Sequence, residues 1–304
     1  MSNKGNKKTY VGYIPFAHQL AVHSALNKGL NSGKIYVVKA RRQVGKSIMV
    51  EQELLRYAIT YKGTINGCVC PTLNQARKMF QDIVNCIMDS GVVRKKNETL
   101  LELELINGSK IFFKSAEQKD SLRGYTITGI LCVDECAFIS DEVFYGLLLA
   151  WTNVHKAPIL LTSTPKFKQG FYWNYWVLGL SDNNEDVIAI DFNSFDTSEL
   201  LSPEKLEQYR TMLPKGQFLT EYMGEFLDSQ SIVFGEFKEC IRKGEIKPYN
   251  DLYIGIDWGS GVGSDSTVVS AINERNEQVF LLRFNQKRAV EQVDYIVQYL
   301  TPFF

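Results

Sequence analysis

From Ile35 onward the chain alternates short, mainly apolar runs with longer stretches of helical periodicity. Ile35 to Lys39, Ile65 to Cys70, Ile130 to Val133 and Pro158 to Leu161 have the length of strands and read as strands buried on both faces. Between them, Ile48 to Thr60 and Asn74 to Met88 place their apolar residues on a helical stripe. Strand and helix in turn predict a mostly parallel sheet with helices on its faces. Leu101-Glu102-Leu103-Glu104-Leu105 alternates with period two, Asn107-Gly108 supplies a turn and Lys110 to Lys114 returns, which predicts an antiparallel hairpin. An amphipathic stretch from Phe16 to Leu30 predicts a helix ahead of the first strand. Past Phe171 the sequence becomes aromatic and mixed, and the run from Asp191 to Leu213, with a helix start at Ser202-Pro203-Glu204, suits a small lid or hinge. Gly235 to Tyr249 reads as a connector, and a new strand at Leu252 to Ile256 opens a further domain.

Composition narrows the class without naming it. The 304 residues, 45% hydrophobic and 22% charged, suit about two ordinary folded domains. No apolar run approaches the roughly 18 residues of a membrane span, and the polar, basic start lacks a signal peptide's apolar core, so a protein kept inside a cell is expected. With 34 Lys and Arg against 34 Asp and Glu, any grip on nucleic acid must be local. Lys4, Lys7 and Lys8, Arg94-Lys95-Lys96, and Lys166 with Lys168 are the basic groups available, though such clusters are also ordinary solvated faces. The six cysteines lack paired finger-like spacing and have no histidine nearby, so they read as reduced thiols rather than zinc ligands.

The chemistry begins at Ala40-Arg41-Arg42-Gln43-Val44-Gly45-Lys46-Ser47, directly after a strand and directly before a helix. A phosphate chain needs inward backbone N–H groups, a helix N-terminus, a lysine and a hydroxyl for Mg²⁺, and Gly45-Lys46-Ser47 supplies the last three. Ala40 replaces the first glycine of the usual phosphate-loop pattern, and alanine is also small. Ile130 to Val133 then ends in two acids. Asp134 is placed to hold Mg²⁺ and Glu135 to orient and deprotonate an attacking water, or one of them caps a following helix with Ala137 to Leu149 as its body. Leu160-Leu161-Thr162-Ser163-Thr164-Pro165 is a strand ending in hydroxyls able to bond a γ-phosphate or its water. Upstream, Phe16-Ala17-His18-Gln19 offers an aromatic ring and an amide suited to adenine. The candidate nucleotide-binding residues are therefore Gln19, Arg41, Gln43, Gly45, Lys46, Ser47, Asp134, Thr162, Ser163 and Thr164.

The succession Gln19, Arg42-Gln43-Val44-Gly45-Lys46-Ser47, Cys70-Pro71-Thr72 with Gln75-Ala76, Leu122-Arg123-Gly124, Val133-Asp134-Glu135 and Thr162 to Pro165 resembles the large terminase subunit of tailed bacteriophages, over about residues 10 to 270. The R-Q-x-G-K-S loop is the most specific element of that resemblance. It implies an ATP-driven DNA-packaging motor using Mg²⁺, with double-stranded DNA, a portal protein and a small terminase subunit as partners. A homo-oligomeric ring on the procapsid in the host bacterial cytoplasm, without a membrane, is implied with it. By the same resemblance Arg42 is a charge-stabilising finger in cis, Arg123 reaches a neighbouring subunit's phosphates, and Thr162 to Thr164 couple hydrolysis to movement. Either arginine could offset the charge of the departing phosphoryl group.

Tyr253-Ile254-Gly255-Ile256-Asp257-Trp258-Gly259-Ser260-Gly261 is an apolar strand ending in Asp before a glycine-rich turn, with Asp265 to Val269 returning. It looks like the first strand of an RNase H-like nuclease domain. By that resemblance Asp257 is a first ligand for Mg²⁺ or Mn²⁺ and Asp265 a possible helper, or the acids merely cap a hairpin turn. A two-metal site needs more carboxylates; Asp294 falls in a helical pattern, so the domain is expected to be incomplete, from a shortened chain or an interrupted gene, and not to cut DNA. The expected architecture is thus α/β, a P-loop NTPase with a mostly parallel sheet and flanking helices over residues 1–190, a lid or hinge over 191–250, and the start of an RNase H-like domain over 251–304. A nucleic-acid helicase or translocase ATPase shares the phosphate and acidic motifs. An assembly protein that binds nucleotide without hydrolysing it is a further alternative, against which Glu135 speaks.

Overall fold

The first strand, β1 (Ile35–Lys39), shows why this sheet needs cover on both sides: Tyr36 and Val38 pack into one core, Ile35 and Val37 into another. In this computed structural model residues 12–228, 250–259, 266–285 and 289–301 are described. Lys4, Lys7, Lys8, Cys240, Asp265 and the expected connector over 235–249 lie outside them. The chain divides into two compact units, Met1–Gly235 and Glu236–Phe304.

The first unit follows the order α1 (Ala17–Ala25), β1, α2 (Lys46–Thr60), β2 (Ile65–Cys70), α3 (Leu73–Ile87), β3 (Val93–Asn97), β4 (Glu102–Leu105) and β5 (Lys110–Ser115). It continues with β6 (Leu131–Asp134), α4 (Asp141–Val143), a π-helical turn (Phe144–Leu148), α5 (Leu149–Asn153), β7 (Ile159–Ser163), α6 (Gly170–Gly179), β8 (Val187–Asp191), α7 (Pro203–Met212) and α8 (Lys215–Glu221). The eight strands form one sheet in the order β3-β4-β5-β2-β6-β7-β1-β8. From β5 to β8 neighbours run parallel, while β3 and β4 are antiparallel additions at one edge.

Two apolar cores sandwich the sheet. On one side Met49, Leu54 and Tyr57 of α2 and Phe80 and Ile83 of α3 cover Tyr36, Cys68 and Leu160. On the other, Phe144, Trp151, Phe171 and Trp176 cover Val37, Val133 and Leu161. Alternate residues of each strand serve opposite cores, which is why the strands read as continuous apolar runs. Cys68, Cys70, Cys132 and Cys136 are buried thiols in or beside these strands.

Three local features differ from the pattern. β3 carries Arg94, Lys95 and Lys96 as an edge strand, and Arg94 pairs with Glu104 and Lys96 with Glu98. Charge along an edge blocks sheet extension, a structural use for that basic run. Residues 187–191 enter the sheet as β8 beside β1. A short 3₁₀ turn, Cys136–Phe138, directly follows Glu135, whose side chain does not cap it, and the α-helix begins only at Asp141, capped by Ser140, so neither acid serves as a capping side chain.

In the second unit β9 (Leu252–Asp257), β10 (Thr267–Asn273) and β11 (Gln278–Phe284) form an antiparallel sheet in the order β11-β10-β9. It is followed by α9 (Ala289–Leu300), whose Ile296 and Leu300 pack with Val269.

Candidate active site

β6, β7 and β1 are adjacent in the sheet and parallel, so their C-terminal ends open onto one crevice, the usual ligand position in such sheets. The phosphate-type loop leaves β1 there and enters α2. Ala40 is buried, is not among the residues with positive φ, and its N–H donates to the Ser163 carbonyl (3.2 Å), so this position does not require glycine. Gly45 does: φ is +77°, and a Cβ would lie 2.6 Å from the Gln19 amide nitrogen. Gln43 also adopts positive φ, at 61°.

The loop's side chains converge with the acidic strand. Ser47 Oγ donates to Asp134 Oδ2 at 2.8 Å, and Thr162 Oγ1 donates to Asp134 Oδ1 at 2.6 Å. Lys46, 6% exposed, reaches Thr164 Oγ1 at 3.0 Å, the Arg41 carbonyl at 3.2 Å and Glu135 Oε1 at 3.6 Å. Glu135 Oε2 accepts from Ser163 Oγ at 3.1 Å and from the Thr164 N–H at 3.4 Å. Glu135 adopts a left-handed conformation, φ 49° and ψ 43°, which is strained for a residue with a Cβ and re-aims its carboxylate as β6 ends. Burial, then the neighbouring Glu135, push the Asp134 carboxyl up, against hydrogen bonds from Thr162 and Ser47 and the charge of Lys46. Asp134 thus gathers two hydroxyls around a buried carboxylate, a set of hard oxygen ligands that suits a divalent cation, while the Lys46 ammonium is left to face an anion.

The remaining expected residues take different places. Gln19 spans the loop from outside: its Nε2 donates to the Gly45 carbonyl at 2.9 Å and its Oε1 accepts from the Phe16 N–H at 2.9 Å. Both edges of that amide are engaged by backbone. Arg41 donates through Nη2 to Thr197 Oγ1 at 2.6 Å, and Arg42 through Nη1 to Glu221 Oε2 at 2.7 Å. Arg123 is exposed after the short helical turn Lys119–Leu122 that follows β5, and is not gathered at the crevice. Lys166 lies 3.6 Å from the Phe138 ring centroid, its amino group pushed down by burial, and Lys168 pairs with Asp228. In the second unit Asp257 ends β9 and Asp294 is exposed on α9. Among the described residues no cluster of three metal-ligating acids, histidines or cysteines occurs.

The sequence pattern passes over several participants. Tyr172 of α6, fully buried, donates to the Val38 and Ser163 carbonyls, both at 3.0 Å, across the ends of β1 and β7. Thr197 and Glu221 have no local signature. Glu51 has one, being four residues beyond Ser47 and so on the same face of α2. Glu51 is 8% exposed. Burial, then Asp82, push its carboxyl up to about 8, against the charge of Lys78. Since the ordinary value is 4.5, the unfolded chain releases this proton first; stability is full below that value and falls as pH rises toward about 8. Glu51→Gln removes the linkage and is expected to stabilise the chain by about 1–3 kcal/mol at pH 8 and far less at pH 5. Urea unfolding at the two pH values measures this, and an equal effect at both would show that Glu51 titrates normally.

The family described as terminase large subunit, T4likevirus-type, N-terminal, matches residues 39–240. No curated protein matches the chain. Among solved structures, the large terminase ATPase domain of Thermus phage P74-26 aligns with a TM-score of 0.60 at 22% identity, covering 71% of this chain and 95% of that one. The large terminase of a thermophilic bacteriophage in complex with ADP aligns at 0.58 and 17% identity, covering 94% of this chain and 74% of that one. The HK97 bacteriophage large terminase aligns at 0.61 and 13% identity, covering 95% and 67%. At these identities the structural likeness speaks for the fold.

Proposed function

Because the chain belongs to the terminase large subunits, we propose that it hydrolyses ATP and couples the hydrolysis to driving double-stranded viral DNA into a procapsid. The observation that carries this reading is the Ser47–Asp134 contact of 2.8 Å beside Lys46 and Glu135, which unites the loop, the acidic strand and the hydroxyl strand in one crevice. The structural relatives support it: one is an ATPase domain and another is a complex with ADP.

In this mechanism Lys46 binds the terminal phosphates, and the loop N–H groups and the N-terminus of α2 hold their charge. Ser47 and Asp134 would hold Mg²⁺, whose chemistry is to neutralise phosphate charge. Glu135 orients a water and accepts its proton as the water oxygen attacks the γ-phosphorus. The bond from that phosphorus to the β–γ bridging oxygen breaks, and ADP leaves with the electron pair. Arg42 offsets the spreading charge, and Ser163 and Thr164, bonded to Glu135, feel any movement of its carboxylate. Arg123, exposed after the turn that follows β5, serves a neighbouring subunit of a ring at the portal. The three antiparallel strands and α9 of the second unit support the start of an RNase H-like domain with Asp257 at its first strand end. No helix of the described residues is long and apolar enough to cross a membrane, and work in the host cytoplasm, with a small terminase subunit as partner, completes the proposal.

The test is Mg²⁺-dependent phosphate release from ATP by the purified chain, with and without double-stranded DNA. Turnover that DNA stimulates is expected. Absence of turnover with DNA and Mg²⁺ present would defeat the motor reading.

A further inference from the structure

Gln19 is 1% exposed, and its two backbone bonds, to the Gly45 carbonyl and from the Phe16 N–H, are both 2.9 Å long. A side-chain amide has a second hydrogen and a second lone pair, but at this exposure neither faces a ligand. Turning the amide outward would break both bonds and leave the Gly45 carbonyl without its brace. The ring beside it is placed differently. Phe16 is 41% exposed, and its ring lies parallel to that of His18, with 8° between the planes and 5.6 Å between centroids. His18 is itself buried, with Nε2 2.9 Å from the Val44 carbonyl. A carbonyl only accepts, so Nε2 carries the proton, and burial pushes the imidazole pKa down, which keeps the ring neutral. Phe192 meets His18 edge-on at 4.6 Å. His18 thus backs one face of the Phe16 ring and ties it to the phosphate loop, and among the described residues no other ring stacks on Phe16.

We propose that Phe16 seats the base of the bound nucleotide by stacking alone while Gln19 braces the loop, so that the site takes purine nucleoside triphosphates without choosing between adenine and guanine. The inference rests on the reading of the loop as the ATP site. Stacking on an aromatic ring is tolerant, because every base has a π-face. Strong discrimination needs buried polar groups shaped to one base edge, which the wrong base would leave unpaired. Gln19 is the residue that the sequence offers for that task, and its amide is held by backbone on both edges. Selection then falls to the phosphates, through Lys46 and the Ser47–Asp134 pair.

The test is calorimetric binding of non-hydrolysable ATP and GTP analogues, and of tripolyphosphate, which carries the phosphates without a base, to the parent chain, F16A, F16Y and Q19A. The parent is expected to bind the two analogues within about fivefold of each other, a comparison that needs no variant to fold. F16A should weaken both analogues about 5- to 100-fold, the worth of one stacked base, and leave tripolyphosphate as in the parent. F16Y should return toward the parent. Q19A should weaken all three ligands by the same factor, because the brace acts on the loop and not on the base. A parent that prefers the ATP analogue by more than about fivefold overturns the proposal, and so does a Q19A chain that loses affinity for that analogue alone. An F16A chain that binds both analogues as the parent does, or that loses tripolyphosphate equally, overturns the stacking role. A parent chain that binds none of the three ligands overturns the ATP-site reading itself, and this inference with it.

Discussion

Glu135→Gln is expected to lower ATP turnover about 10²- to 10⁴-fold, the usual contribution of a positioned general base, while leaving ATP affinity within about threefold. The amide keeps the shape of the carboxylate and an oxygen able to accept from Ser163 Oγ and the Thr164 N–H, so the strand ends stay as they are. Its left-handed backbone is no harder for glutamine than for glutamate. What disappears is the ability to take a proton from water. Filter binding of labelled ATP beside a phosphate-release assay separates the two quantities. Hydrolysis at the parent rate would mean that the acid after β6 is not the base.

Lys46→Ala is expected to act earlier in the cycle, weakening ATP binding about 10- to 100-fold, the worth of a charge-assisted hydrogen bond, and leaving no measurable turnover. The lysine is 6% exposed and its amino group sits among Thr164 Oγ1, the Arg41 carbonyl and Glu135, so its charge acts where water screens little. Truncation also leaves the carboxylates of Asp134 and Glu135 facing the crevice without their nearest cation, which repels phosphate. The contrast with Glu135→Gln is diagnostic: one variant binds without turning over, the other loses both. Parent-like ATP affinity in Lys46→Ala would remove the phosphate assignment from this loop.

Most of what the sequence pattern offers here is local chemistry at strand ends. The loop, the two acids and the hydroxyl run each follow an apolar strand directly, and a parallel sheet brings such ends together without further instruction. The contacts that position the loop's arginines are a different matter. Thr197 and Glu221 lie 156 and 179 residues from Arg41 and Arg42, and nothing in their own surroundings marks them. Gln19 is visible as an amide near a helix start, but its use as a brace on Gly45 depends on how α1 packs beside the loop. β3 escapes pattern reading because Arg94, Lys95 and Lys96 make it look like a solvated loop, and an edge strand tolerates that charge. β8 escapes because Val187 to Asp191 is short and only half-buried, next to a stretch of mixed composition. Glu135 looks like a helix cap in sequence. Its positive φ, which ends β6 and turns the chain before Ser140 caps the next helix, is a tertiary fact.

The Tyr172 hydroxyl has one proton to share between two carbonyl oxygens at equal distance, Val38 of β1 and Ser163 of β7. Strand ends in a parallel sheet ordinarily fray independently, each absorbing a small displacement in its own loop. Here a rigid ring rivets the two ends to α6, and the same helix begins with its Phe171 N–H tied to Asp141 of α4. A sideways displacement of the hydroxyl-bearing strand end is therefore expected to pull on α6 through this one hydroxyl, and Tyr172→Phe is expected to uncouple the two.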